Sequence, residues 1–186
     1  MKGTSFKVSF VLDEQDASYF RSLFRKAKRA AAETDKDEVI AAAKDLVESV
    51  RASKKTPNFV IEAISAIEDL TQIIEDDDYN APKPIVNQVV GALAYFANPE
   101  DLIPDDIPVL GFLDDAIMIK FVEEEFKHEL WGYRKFRKFR DGAEVRPWTK
   151  VAKTRLPSRL EAQRAKIRAD IERKKRADSE KGKSGF

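Results

Sequence analysis

Between residues 59 and 74 apolar side chains return every three or four positions, as Phe59, Val60, Ala63, Ile64, Ile67, Leu70 and Ile74. That period places them on one face of an α-helix, and such a face must be buried against other elements. The spacing recurs in Tyr19, Phe20, Leu23, Phe24 and Ala27, and again in Val39, Ala42, Ala43, Leu46, Val47 and Val50. A competing period occurs in Phe6–Leu12, which alternates before turning apolar and reads as one short strand. A lone strand needs a partner, so it pairs with another copy or lies as an extended arm. Few glycines and prolines (7 and 8 in 186 residues) also favour helices. The expectation is an all-α bundle of about five or six helices with one N-terminal strand.

Local signals set the expected boundaries. Asp13 reads as an N-cap with Asp16 in the first turn, and Thr34-Asp35 opens a second helix. Thr56 reads as the cap of the third, with Pro57 at its first helical position. Pro82 and Pro84 open a helix over 85–97, which Asn98-Pro99 stops. After a loop carrying Pro99, Pro104, Pro108 and Gly111, one long helix is expected from Asp114 towards Phe139. Pro147, Trp148 and Pro157 mark an irregular linker, and Ser158 with Glu161 forms a capping box for a last helix ending near Lys175. Residues 179–186 read as disordered. The chain then divides into an arm (1–30), a helical domain (31–142) and a basic linker and tail (143–186).

With no cysteine there is no disulfide, thiolate nucleophile or Cys-ligated zinc, and the N-terminus lacks the apolar region of a signal peptide. Residues 85–97 and 107–122 are too short or too interrupted to span a bilayer, which takes about 20 predominantly apolar residues. A cytoplasmic protein is expected, with peripheral attachment at the inner face of the membrane as the alternative.

The charge is segregated. Residues 1–129 hold 15 Lys and Arg against 26 Asp and Glu, a net of −11, and residues 130–186 hold 19 against 7, a net of +12. An acidic body therefore carries a basic C-terminal region.

The stretch Pro99-Glu100-Asp101-Leu102-Ile103-Pro104-Asp105-Asp106-Ile107-Pro108-Val109-Leu110-Gly111-Phe112-Leu113-Asp114-Asp115, preceded by Ala92-Leu93-Ala94-Tyr95, places prolines, a glycine and acids in one register. It resembles the signature of the YkvA-type domain, a bacterial domain of unknown function, over about residues 82–130. The resemblance implies a helical fold and no assigned activity, in a family whose members are often described as membrane proteins. Asp106 and Asn98 make this copy more polar than the family pattern.

Within that loop Asp101, Asp105, Asp114 and Asp115 suit two roles. As structural groups they cap helix or turn N-termini, while the prolines stiffen a turn that closes a central hairpin. As ligands they would offer oxygens to Mg²⁺, Ca²⁺ or Mn²⁺, though no EF-hand spacing is present. The structural role is favoured, and no cofactor is expected. Glu125 and His128 form one E-x-x-H pair, but the chain's single histidine cannot build a two-pair di-iron site. Glu123, Glu124 and Glu129 read as a solvated face. Neither a nucleophile elbow nor a phosphate loop is found.

The segment from Trp131 to Arg140 interleaves aromatics with Arg134, Lys135, Arg137, Lys138 and Arg140, and Trp148 follows. Aromatic and cationic groups together suit anionic headgroups or nucleic acid. Alternatively, the aromatics finish the core while the cations snorkel into water. The function expected is a non-catalytic interaction or scaffold protein whose basic tail docks on an acidic protein surface or on its own body. An anionic membrane surface is the alternative partner, nucleic acid ranks lower because the acidic body repels it, and a metal-dependent enzyme using the aspartate loop is the remaining rival.

Overall fold

The computed structural model describes residues 11, 13–30, 35–53, 56–97, 112–144 and 150–183. Among them stand seven α-helices: α1 (Glu14–Ala30), α2 (Lys36–Ala52), α3 (Asn58–Glu75), α4 (Lys83–Leu93), α5 (Leu113–Glu125), α6 (Lys127–Glu144) and α7 (Lys150–Lys183). A 3-10 turn, Ala94–Ala97, prolongs α4. The described residues are helical as the periodicity requires. The expected strand over Phe6–Leu12 falls, save for Val11, outside them.

Capping explains the first two starts. Asp13 Oδ1 accepts the N–H groups of Gln15 and Asp16 at 2.8 and 2.9 Å, and Asp16 Oδ2 accepts that of Asp13 at 3.3 Å. This reciprocal box satisfies N–H groups that a helix start leaves orphaned. Asp35 likewise accepts the N–H of Asp37 at 2.7 Å. The third start differs from expectation. Pro57 is the N-cap of α3, and the Thr56 hydroxyl instead donates to the carbonyl of Val50 at 3.0 Å, tying the connection to the end of α2.

Two further departures concern helix ends, and the first of them accounts for the helix count. The expected long helix breaks at Phe126, whose φ of −101° and ψ of 14° separate α5 from α6. No glycine or proline signals this break; Phe126 is itself buried there. In contrast, the expected break at Pro157 and the capping box at Ser158 are absent, because α7 runs through both. An interior proline removes a hydrogen bond and disfavours the helix by about 3 kcal/mol. Here Leu156 and Leu160 on either side pack against the core, and packing overrides the local signal. The helix also continues past Lys175 to Lys183, held near its end by Asp178 against Lys127 and His128, both at 3.1 Å.

α3 is the hub, packing against α2, α4, α5 and α6. Its Ile64, Ile67, Leu70 and Ile73 meet Val39, Val47 and Val50 of α2, Val89 and Leu93 of α4, Met118, Ile119 and Val122 of α5, and Tyr133 and Phe136 of α6 in one buried cluster. Phe59 heads the sequence stripe but is 46% exposed, since it faces an open groove beside Phe24 and Phe121, whereas its neighbour Val60 is buried. α4 packs on α1, α2 and α3, while α5 packs chiefly on α3. The segment joining α4 and α5, residues 98–111, lies outside the described residues, and with it the expected loop closing a hairpin. The α3–α4 connection turns at Asn80, whose φ of 44° is left-handed, a region asparagine tolerates better than most side chains.

α7 lies antiparallel on α6. Lys127 and His128 face Asp178, Gly132 faces Ile167 and Ile171, and Phe139 faces Arg159. The two helices are closest at Gly132, where an added Cβ would stand 2.5 Å from Ile171 Cδ1 and 3.1 Å from both Ile171 Cγ1 and Ile167 Cγ2. Alanine gains about 1 kcal/mol of helix propensity over glycine, but overpacking costs about 1–3 kcal/mol. Gly132→Ala should therefore lower the urea midpoint, and pairing it with Ile171→Val, which deletes the nearest methyl, should restore part of the loss. A midpoint raised by Gly132→Ala would show that the approach is not limiting.

Candidate functional site

The helical period sorts the cations of α6 into stripes. Tyr133, Arg137 and Arg140 look towards α3. Glu129, Gly132 and Phe139 look towards α7. Trp131, Lys135 and Lys138 lie along a third line, at spacings of four and three, that lines an open groove. Arg134 borders both the first and the third.

The inward set meets one buried and one half-buried carboxylate. Asp69 of α3, 5% exposed, accepts from Arg134 Nε at 2.6 Å and from Arg137 Nη1 at 2.9 Å. Asp76, at the end of α3, has both oxygens 2.8 Å from Arg140 Nη1. The Tyr133 hydroxyl lies 3.1 Å from both Gln72 Oε1 and Asp76 Oδ2 and supplies one proton between them. Burial, with the Asp76 carboxylate beside it, pushes that phenol up to about 12, so it stays a donor at neutral pH. Glu75 to Asp78 would otherwise oppose the helix dipole at this C-terminus. Arg140, Lys44 on Glu75 at 2.7 Å and Arg164 on the Asp78 carbonyl at 2.9 Å offset that cost.

Glu129 corrects the sequence reading of a solvated face. It is 3% exposed and accepts from Arg168 at 2.6 Å and Lys175 at 3.0 Å, both from α7. Glu123 is half-buried and Glu124 exposed. Tyr79, not singled out by sequence, fills the junction of the α3–α4 turn with α6 and α7. Its ring is 5.0 Å from that of Tyr133 and 5.3 Å from that of Phe136, with the Arg168 guanidinium 4.6 Å over it. Burial raises its phenol well above the usual range.

The outward set surrounds Trp131. Lys135 Nζ stands 4.7 Å and Lys174 Nζ 4.5 Å from the centre of its ring. The groove beside it, about 390 Å³, is bordered by Lys127, Arg134, Lys135 and Lys138, with Glu123 at one end. Asp170 neutralises Lys135 at 3.0 Å, whereas Lys138 and Lys174 have no ion pair among the described residues. Trp148 lies outside the described residues.

Of the loop aspartates, Asp101 and Asp105 lie outside the described residues. Asp114 and Asp115 fall in the first turn of α5, where negative charge favours the helix, but the N-cap is Phe112, without a side-chain cap bond. Among the described residues no three His, Asp or Glu side chains gather as a metal site would require. The E-x-x-H pair is divided between partners, Glu125 meeting Lys28 and His128 meeting Asp178. A wider apolar groove of about 740 Å³ runs between α1, α3 and α5, over Phe24, Phe59, Ala116, Ile117 and Phe121. Of its rim charges, Arg21, Lys120, Glu124 and Glu125 are engaged in ion pairs.

A family model described as a protein of unknown function (DUF1232) matches residues 88–121. The match covers the end of α4, the 3-10 turn and the first two turns of α5, inside the segment singled out by its proline and aspartate pattern. No curated protein and no solved structure matches the chain. Among the described residues no helix is long and apolar enough to cross a membrane.

Two outcomes follow from this geometry. Removing Arg134 and Arg137 strands a buried carboxylate, which costs about 3–5 kcal/mol, whereas Asp69→Asn leaves two guanidinium groups that still reach water, a loss nearer 1–3 kcal/mol. Urea unfolding at neutral pH should show the double arginine variant as the weaker. Equal losses would show that burial of Asp69 does not set the cost.

The second outcome is pH dependence. A hydrogen bond from Lys135 holds the Asp170 carboxyl below its ordinary value of 3.8, and one from Lys127 does the same for Asp178. Depressed carboxyls stabilise the fold above their unfolded value and lose that contribution as pH falls through the folded one. Amide protection in α7 should thus hold at neutral pH and fall below about pH 4, with a shallower fall in Asp170→Asn/Asp178→Asn. An identical profile in that variant would remove these two groups from the account.

Proposed function

We propose that this chain is a non-catalytic interaction protein whose basic C-terminal region folds back on its own acidic body and offers its remaining cations to an anionic partner. One observation supports the reading above the others. The cations of α6 and α7 divide into a set spent on buried Asp69 and Glu129 and half-buried Asp76 and a set, Lys135, Lys138 and Lys174, grouped round Trp131 on the outer side. Among the described residues Arg134, Arg137, Arg140, Arg168 and Lys175 meet Asp69, Asp76, Asp78 and Glu129, so part of the opposed totals of −11 and +12 is matched within one molecule.

The two sets should respond differently to charge reversal. Arg168→Glu with Lys175→Glu places like charges against buried Glu129 and should release α7, read as lost amide protection. Lys138→Glu with Lys174→Glu should leave melting nearly unchanged, as surface changes usually shift stability by under about 0.5 kcal/mol. The same variant should lose retention on an immobilised sulfated polysaccharide, a retention that in the wild-type chain disappears between about 0.1 and 1 M salt. Retention unaffected by reversal of the outer pair would refute the outward half of the proposal. Undisturbed α7 protection in the inner variant would refute the inward half.

A further inference from the structure

The outer face of α6 has chemistry more specific than positive charge. Trp131, Lys135 and Lys138 rise along about 10 Å of one helix, at 1.5 Å per residue. Lys174 reaches the same indole from antiparallel α7. An indole beside several ammonium groups, at an open groove along α6, matches a boundary between water and hydrocarbon. The ring is amphipathic and settles at headgroup depth, while lysine stems extend their charge to phosphates. Lys138 and Lys174 carry no carboxylate partner among the described residues, so binding an anion there breaks no ion pair of theirs. The exposed carboxylates Glu38, Asp45 and Glu48 belong to α2, which lines no part of this groove, and the lining itself sets Lys127, Arg134, Lys135 and Lys138 against Glu123, a local excess of positive charge that complements an anionic surface.

We infer that the face formed by Trp131, Arg134, Lys135, Lys138 and Lys174 docks the protein peripherally on an anionic lipid bilayer, with the indole at headgroup level and the lysines on lipid phosphates. The inference rests on the reading that the outer cations serve an anionic partner. It adds the apolar contribution of Trp131, which a soluble polyanion would not use. Asp170, paired with Lys135 at 3.0 Å and Arg173 at 2.6 Å, is the carboxylate that a lipid phosphate would displace from Lys135.

The test uses the full chain with Trp148→Phe, which leaves Trp131 as the one indole of the two in the sequence. Vesicles of phosphatidylcholine with about a third phosphatidylglycerol should bind it and shift its emission to the blue, while pure phosphatidylcholine vesicles should do neither. Lys138→Gln with Lys174→Gln should weaken binding roughly 30-fold, two lysines at about a factor of five each. Trp131→Ala should weaken vesicle binding but leave retention on the sulfated polysaccharide intact. Retention on the polysaccharide without vesicle binding overturns the inference and spares the broader reading. Loss of both, in a folded chain, overturns both. Equal binding to the two vesicle types, or vesicle binding without a blue shift, removes the docking face as described. Salt-sensitive self-association that the same glutamines abolish, with no vesicle binding, assigns the face to a second copy instead.

Discussion

Three carboxylates that the helical core cannot neutralise locally govern how α6 and α7 are placed. Asp69 lies within α3 and Asp76 at its C-cap, almost two full turns further on, and Glu129 sits on α6 under α7. Desolvating such groups costs several kcal/mol each, so pairing them roughly balances the penalty rather than adding much stability. What the pairs contribute is register. Arg134 and Arg137 meet Asp69 and Arg140 meets Asp76, in the same order along both helices, which fixes the direction in which α6 crosses α3. The apolar cluster supplies the drive to pack, and the ion pairs select one way of packing.

Local chemistry was legible in the sequence where it is complete within a few residues. The Asp13 box, the Asp35 cap and the amphipathic stripes of α1, α2 and α3 need only their own neighbours. The break at Phe126 and the continuity through Pro157 were not legible, because both are decided by what the flanking side chains pack against. Thr56 shows the same limit, since its hydroxyl turns back to Val50 when Pro57 takes the cap.

Charge was legible in sum and illegible in pairs. The excess of acid before residue 130 and of base after it foretells that the two parts attract. Nothing within reach of Glu129 tells that its partners lie at Arg168 and Lys175, or that those of Asp69 lie at Arg134 and Arg137. A usable signal was present in Asp69 itself, which shares a helix face with Ala66 and Ile73, where burial demands a partner. Similarly, the run from Trp131 to Arg140 reads as one basic aromatic segment until the 3.6-residue period divides it among three neighbours.

The antiparallel seating of α7 has a mechanical consequence. Its anchors, from Arg159 on Phe139 through Arg164, Ile167, Arg168 and Ile171 to Lys175 and Asp178, are strung along a helix about 50 Å long whose main neighbour is α6. Each holds against its own small patch and none braces the next through a third helix. A load on the C-terminus is then carried by one anchor at a time, so the helix peels like a zip instead of shearing as a block, and Ile171, Ile167 and Leu160 leave the buried cluster in turn.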